Sequence, residues 1–62
     1  MNFESKFKPK DKVKEIRGSF LYVVKSYYYD EESNVIIYAL ESIDCPGYIK
    51  YLPEDKLQFV SL

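Results

Sequence analysis

Short runs of apolar residues, rich in β-branched and aromatic types, alternate along the chain with polar breaks carrying glycine, proline, asparagine or aspartate. That rhythm predicts strands joined by tight turns rather than helices. The segment Phe7-Lys8-Pro9-Lys10-Asp11-Lys12-Val13-Lys14-Glu15-Ile16-Arg17 opens in a proline turn, becomes partly alternating and stops at Gly18. It reads as a first strand, with lysines of the kind that guard a sheet edge. Leu21 to Tyr29 is a second strand, since Leu, Tyr, Val, Val and three consecutive Tyr fit a pleated surface better than a helix.

Asp30-Glu31-Glu32-Ser33-Asn34 is a polar break of hairpin-loop type, which makes Val35 to Glu41 the partner strand. Ser42-Ile43-Asp44-Cys45-Pro46-Gly47 supplies the next turn, and Tyr48 to Leu52 a fourth strand. Pro53-Glu54-Asp55-Lys56 has the proline and acids of a helix start, but too few residues follow for more than a turn. A 3₁₀ turn before a short last strand, Leu57 to Val60, is expected.

The reading is therefore all-β, five short strands in a single domain spanning residues 1–62, with residues 1–6 expected as a flexible N-terminal tail. A chain of 62 residues has room for one core only. An open sheet of this size exposes one face and two bare edges, and curling into a small barrel removes both problems.

Composition sharpens this picture in two places. The chain holds seven Tyr and four Phe but no Trp, so large rings supply much of the area a small core must bury. Nine basic and ten acidic side chains leave a formal charge of −1, which argues against a phosphate-dominated partner or an anionic membrane surface. The charge is uneven, however: Lys6, Lys8, Lys10, Lys12, Lys14 and Arg17 crowd the first segment, and Asp30, Glu31 and Glu32 sit together later. A lone cysteine, Cys45, makes no internal disulfide, and the sequence opens without a signal-like apolar run. A cytoplasmic location is the expectation.

Two stretches resemble a known family. Phe7-Lys8-Pro9-Lys10-Asp11-Lys12-Val13 is similar to the Phe-x-x-Gly-Asp-x-Val opening of many small SH3-like barrels, with Lys10 in place of the glycine. Gly47-Tyr48-Ile49-Lys50-Tyr51-Leu52-Pro53-Glu54-Asp55-Lys56-Leu57 resembles the passage of such a barrel through a proline-initiated 3₁₀ turn into its last strand. The resemblance implies a five-stranded SH3-like small barrel, of the broad superfamily that includes SH3, Tudor-like and KOW-like modules, similar to short proteins of bacteria and their phages. The Ala-Leu-Tyr-Asp-Tyr motif and groove tryptophan of signalling SH3 domains are absent, so proline-rich peptide binding is not implied, and fold alone transfers no function.

With Asp30 to Asn34 as the loop, Tyr29 is expected opposite Val35 and Tyr28 opposite Ile36. Alternation then sorts the hairpin into two faces. One carries Tyr22, Val24, Ser26, Tyr28, Ile36, Tyr38 and Leu40; the other carries Leu21, Val23, Lys25, Tyr27, Tyr29, Val35, Ile37, Ala39 and Glu41. The second has more of the small aliphatic residues that suit an interior, whereas the SH3-like resemblance points Tyr38 and Leu40 inward. A bulge between Val24 and Tyr29 would reconcile part of each, and the sequence leaves the choice open.

Candidate chemistry is sparse. With no histidine there is neither the commonest general base nor the commonest metal ligand. Glu31-Glu32 and Glu54-Asp55 fall in expected turns, Gly18 and Gly47 are isolated, and Cys45 has no activating neighbour. Neither an enzyme nor a cofactor is expected. Excess tyrosine points instead to a binding module, with Tyr22, Tyr28, Tyr29 and Tyr51 as exposed contacts for another protein. The alternative is nucleic acid, with Lys8, Lys10, Lys12, Lys14 and Arg17 on phosphates and tyrosines stacking bases. A homodimer is a third possibility.

Overall fold

A computed structural model of the chain describes residues 4–60. One antiparallel sheet contains β1 Lys12–Glu15, β2 Leu21–Asp30, β3 Val35–Ser42, β4 Ile49–Pro53 and β5 Leu57–Phe59, with a 3₁₀ turn at Glu54–Lys56 before β5. The strand order is β4-β3-β2-β1-β5. β1 therefore lies inside the sheet, not at an edge, and Val13 pairs with Tyr22 on one side and Phe59 on the other. Its lysines guard no edge. Lys12 and Lys14 share outer rungs with Val23 and Leu21, while Val13 between them is fully buried.

The core is built from Phe7, Val13, Tyr22, Val24, Ile36, Tyr38, Leu40 and Leu57, with Tyr29 and Leu52 packed against it. Phe7 meets Tyr38 edge to face at 5.4 Å between ring centroids, an arrangement that aromatic quadrupoles favour. The sheet coils around this cluster, so Lys50 of β4 reaches Glu15 of β1 at 2.7 Å although β2 and β3 separate the two strands in the ladder. The ladder itself stays open. β4 and β5 are its two edges, and Pro53 ends β4 without an N–H to donate.

The hairpin register differs from the simple expectation by one residue near the loop. Asp30 pairs with Val35, Tyr29 with Ile36 and Tyr28 with Ile37, whereas Val24 pairs with Leu40 and Tyr22 with Ser42. The step falls between Val24 and Ser26, where Lys25 is the extra residue of a bulge. Alternation changes phase there. Tyr22 and Val24 face the core before the bulge, and Tyr27 and Tyr29 share rungs with the inward Tyr38 and Ile36 after it. Each of the two expected faces is thus right for one half of β2. The loop holds its shape through Asp30, whose Oδ1 accepts the Glu32 N–H and whose Oδ2 accepts the Ser33 hydroxyl, with Asn34 at φ 61°.

A second irregularity precedes β1. The Lys8 carbonyl accepts the Asp11 N–H at 3.0 Å, Pro9 occupies the second corner and Lys10 the third at φ 80°, the pattern of a type II turn. Lys10 N–H donates to the Val24 carbonyl while Val24 N–H donates to Asp11, so two residues oppose one. This is the bulge whose first residue is normally a left-handed glycine, which accounts for the glycine in the pattern that Phe7 to Val13 resembles. Lys10 carries a steric cost of roughly 1 kcal/mol there. Of the expected N-terminal tail, residues 1–3 lie outside the described residues, and the Lys6 N–H donates to Glu54 Oε2 at 2.8 Å.

Candidate functional site

The four nominated tyrosines separate into three environments. Tyr22 is a core residue, only 5% exposed, because it sits before the bulge on the inner phase of β2; the expectation of an exposed contact is corrected. Tyr29 is half-buried against the same core from the far side of the bulge. Tyr28 and Tyr51, at 53% and 61%, stand in water.

Those two share a face. The outer rungs of β2, β3 and β4 run Tyr28, Ile37, Pro53, then Ser26, Ala39, Tyr51, then Val23, Glu41, Ile49. Ala39 is small and buried, so the middle of the patch is low, with Tyr28 and Tyr51 rising diagonally on either side. Ile49 adds apolar surface at the β4 edge, and Lys25 closes the far side through its 3.3 Å ion pair with Glu41. Glu41 also accepts the Gly47 N–H at 2.9 Å. That hydrogen bond, then the Lys25 ammonium, holds the Glu41 carboxyl below its ordinary value.

At the other end of the sheet a groove of about 480 Å³ opens on the inner side. Phe20 and Tyr48 are its exposed walls, Tyr22 lies at its floor, and Ser42, Cys45 and the Glu15–Lys50 pair complete the lining. The Lys50 ammonium stands 6.0 Å from the Tyr22 ring centroid, and the hydrogen bond to Glu15 leads the influences that raise its pKa. Phe20 and Tyr48 were not among the nominated residues. Tyr48, expected to open the fourth strand, lies just before β4 in alternation with Lys50 and Leu52, and Phe20 lies in the β1–β2 connection, where no periodicity speaks for its exposure.

The other candidate groups fall into structural roles or scatter. Glu54 Oε2 accepts both the Lys6 N–H and the Tyr38 hydroxyl, so it ties the N-terminal segment and β3 to the 3₁₀ turn. Glu31 and Glu32 are exposed in the hairpin loop. Cys45 is a free thiol in the β3–β4 turn. Among the basic residues, Lys8 and Lys10 belong to the turn before β1 and Lys12 to its outer face, while the Lys14 ammonium is 3.5 Å from the Gly18 carbonyl. Among the described residues no helix is long and apolar enough to cross a membrane. The chain is a small five-stranded antiparallel module, compatible with an SH3-like fold. Comparison with protein-family models, curated proteins and solved structures returns no match.

Proposed function

We propose that the chain is a non-enzymatic binding module of SH3-like type that engages another protein through the outer face of β2, β3 and β4. The observation that carries the reading is the placement of Tyr28 and Tyr51 on one face, both more than half exposed, around the low point at Ala39. Tyrosine brings rigid contact area with a polar tip, and a shallow apolar patch with a charged rim matches the anatomy of protein interfaces. Lys25 and Glu41 supply that rim and neutralise each other. Net charge near zero supports a protein over nucleic acid, as does the interleaving of Asp11 and Glu15 among the first segment's lysines. The lone thiol Cys45 supports a reducing compartment.

The test is quantitative capture on the immobilised full chain from extract of the native cell, repeated with Tyr28→Ser and Tyr51→Ser after circular dichroism has verified folding. Each substitution is expected to cut capture about tenfold, the loss of a hot-spot side chain. Undiminished capture by both folded variants overturns the reading. Salt-sensitive retention of labelled oligonucleotides without any protein partner replaces it with the nucleic-acid alternative.

A further inference from the structure

β4 is an edge strand with an unusual balance of groups. The Ser42 N–H donates to the Tyr48 carbonyl at 3.0 Å. By antiparallel alternation the amides of Lys50 and Leu52 also face β3, opposite Leu40 and Tyr38. Those of Ile49 and Tyr51 face away from the sheet, and Pro53 beyond them has no N–H. The free edge thus offers two donors and two acceptors, spaced two residues apart and carrying one β-branched and one aromatic side chain on the outer face.

Such an edge is complementary to itself. A two-fold axis at Lys50 sets Ile49 of one copy against Tyr51 of the other, and the reverse. All four free N–H groups then meet carbonyls, and two Ile-Tyr cross-strand pairs form, a combination that stabilises antiparallel ladders. A register shifted toward Pro53 runs into its missing N–H, and one shifted the other way meets Gly47, whose N–H is already given to Glu41. The two Lys50 side chains face each other on the inner side, and an inward charge is a common guard of an edge strand. Here the guard is disarmed, because Glu15 holds each ammonium at 2.7 Å, so the axis brings together two neutral pairs instead of two bare cations.

We infer that β4 is a homodimerisation edge, joining two copies into one continuous sheet through antiparallel β4–β4 pairing centred on Lys50. The outer faces of the two copies then form one surface, with Tyr28 at each end. The inference does not depend on the proposed protein partner, since it is read from the chain alone in dilute buffer.

Sedimentation equilibrium of the full chain, from micromolar to millimolar concentration, measures the association, and hydrogen exchange followed residue by residue locates it. A monomer–dimer equilibrium is expected, with Ile49 and Tyr51 amide exchange slowing as the dimer fills. Ile49→Lys should raise the dissociation constant about tenfold or more, while Tyr28→Ser leaves it unchanged. Glu15→Gln should weaken association at low salt and recover at high salt, because it exposes Lys50 to its counterpart. A strict monomer at millimolar concentration overturns the inference. So does a dimer whose Ile49 and Tyr51 amides exchange as in the monomer, or one dissolved by Tyr28→Ser, which is a face-to-face pair. The amide measurement on the unaltered chain decides the matter even if a variant does not fold.

Discussion

The Tyr38 hydroxyl donates to Glu54 Oε2 at 2.6 Å and itself accepts the Phe7 N–H at 3.2 Å, so one phenol joins β3, the 3₁₀ turn and the N-terminal segment. Removing it by Tyr38→Phe leaves the buried Phe7 N–H without its acceptor and leaves Glu54 Oε2 with the Lys6 N–H alone. The expected loss is about 1 to 3 kcal/mol, read as a lower urea midpoint with an unchanged far-ultraviolet spectrum. A midpoint within error of the parent protein contradicts this account of the core.

Burial, and then the hydrogen bond to Glu54, push the Tyr38 phenol up to about 12 from its usual value of 10.0. A pKa raised in the folded state means that stability is intact below the unfolded value and is lost as pH climbs through the folded one. Between about pH 10 and 12 the fold should lose on the order of 2 to 3 kcal/mol. The check is a spectrophotometric titration in which a late phenolate signal coincides with loss of β structure, and in which Glu54→Gln moves that signal to lower pH.

Glu41 works in the opposite direction. The Gly47 N–H, and after it Lys25, depress its carboxyl pKa, so its contribution is present above the ordinary carboxylate range and disappears as pH falls through the depressed value. Acid should loosen the β3–β4 turn before the core. Carboxyl chemical shifts followed during acidification should place Glu41 below its unfolded reference, and Glu41→Gln should abolish the loss of Gly47 amide protection on acidification, once intrinsic exchange is divided out.

The turn before β1 invites a stabilising change. Lys10 at φ 80° occupies a backbone region that glycine enters freely, so Lys10→Gly should be neutral or raise stability by up to about 1 kcal/mol, while a β-branched Lys10→Val should lower it by more than about 1 kcal/mol. Thermal melts of both variants test the assignment, and the same sign for both would refute it.

The four tyrosines named from the sequence should separate in a stability assay as they do in space. Tyr22→Ser empties a core site and should cost about 3 kcal/mol or more, whereas Tyr28→Ser touches only the exposed outer face and should stay within about 0.5 kcal/mol. Equal costs would mean that β2 is paired in another phase.

Those contrasts mark where the sequence was informative. The strands, the proline-led 3₁₀ turn and the Asp30 loop were legible because each rests on local propensity or turn chemistry. The phase of β2 was not, since a single added residue at Lys25 exchanges inside for outside and Tyr, which tolerates both, gives no sign of it. Tyr22 was misplaced for that reason. The position of β1 was hidden too: its lysines looked like edge guards, and only the return of β5 puts strands on both sides of it. Of the four tyrosines, Tyr28 and Tyr51 come to share the exposed outer face because one follows the bulge and the other lies on a strand that has none.

The place of β1 between β2 and β5 has a kinetic consequence. Val13 cannot complete its ladder until Phe59 arrives from the far end of the described chain, so the entropy of closing nearly the whole loop must be met before that rung returns any enthalpy. Refolding should accordingly run in milliseconds to seconds, as in other small domains with remote pairings. The hairpin of β2 and β3 can assemble first, while the seam between β1 and β5 closes last and opens first when the protein is pulled from its two ends.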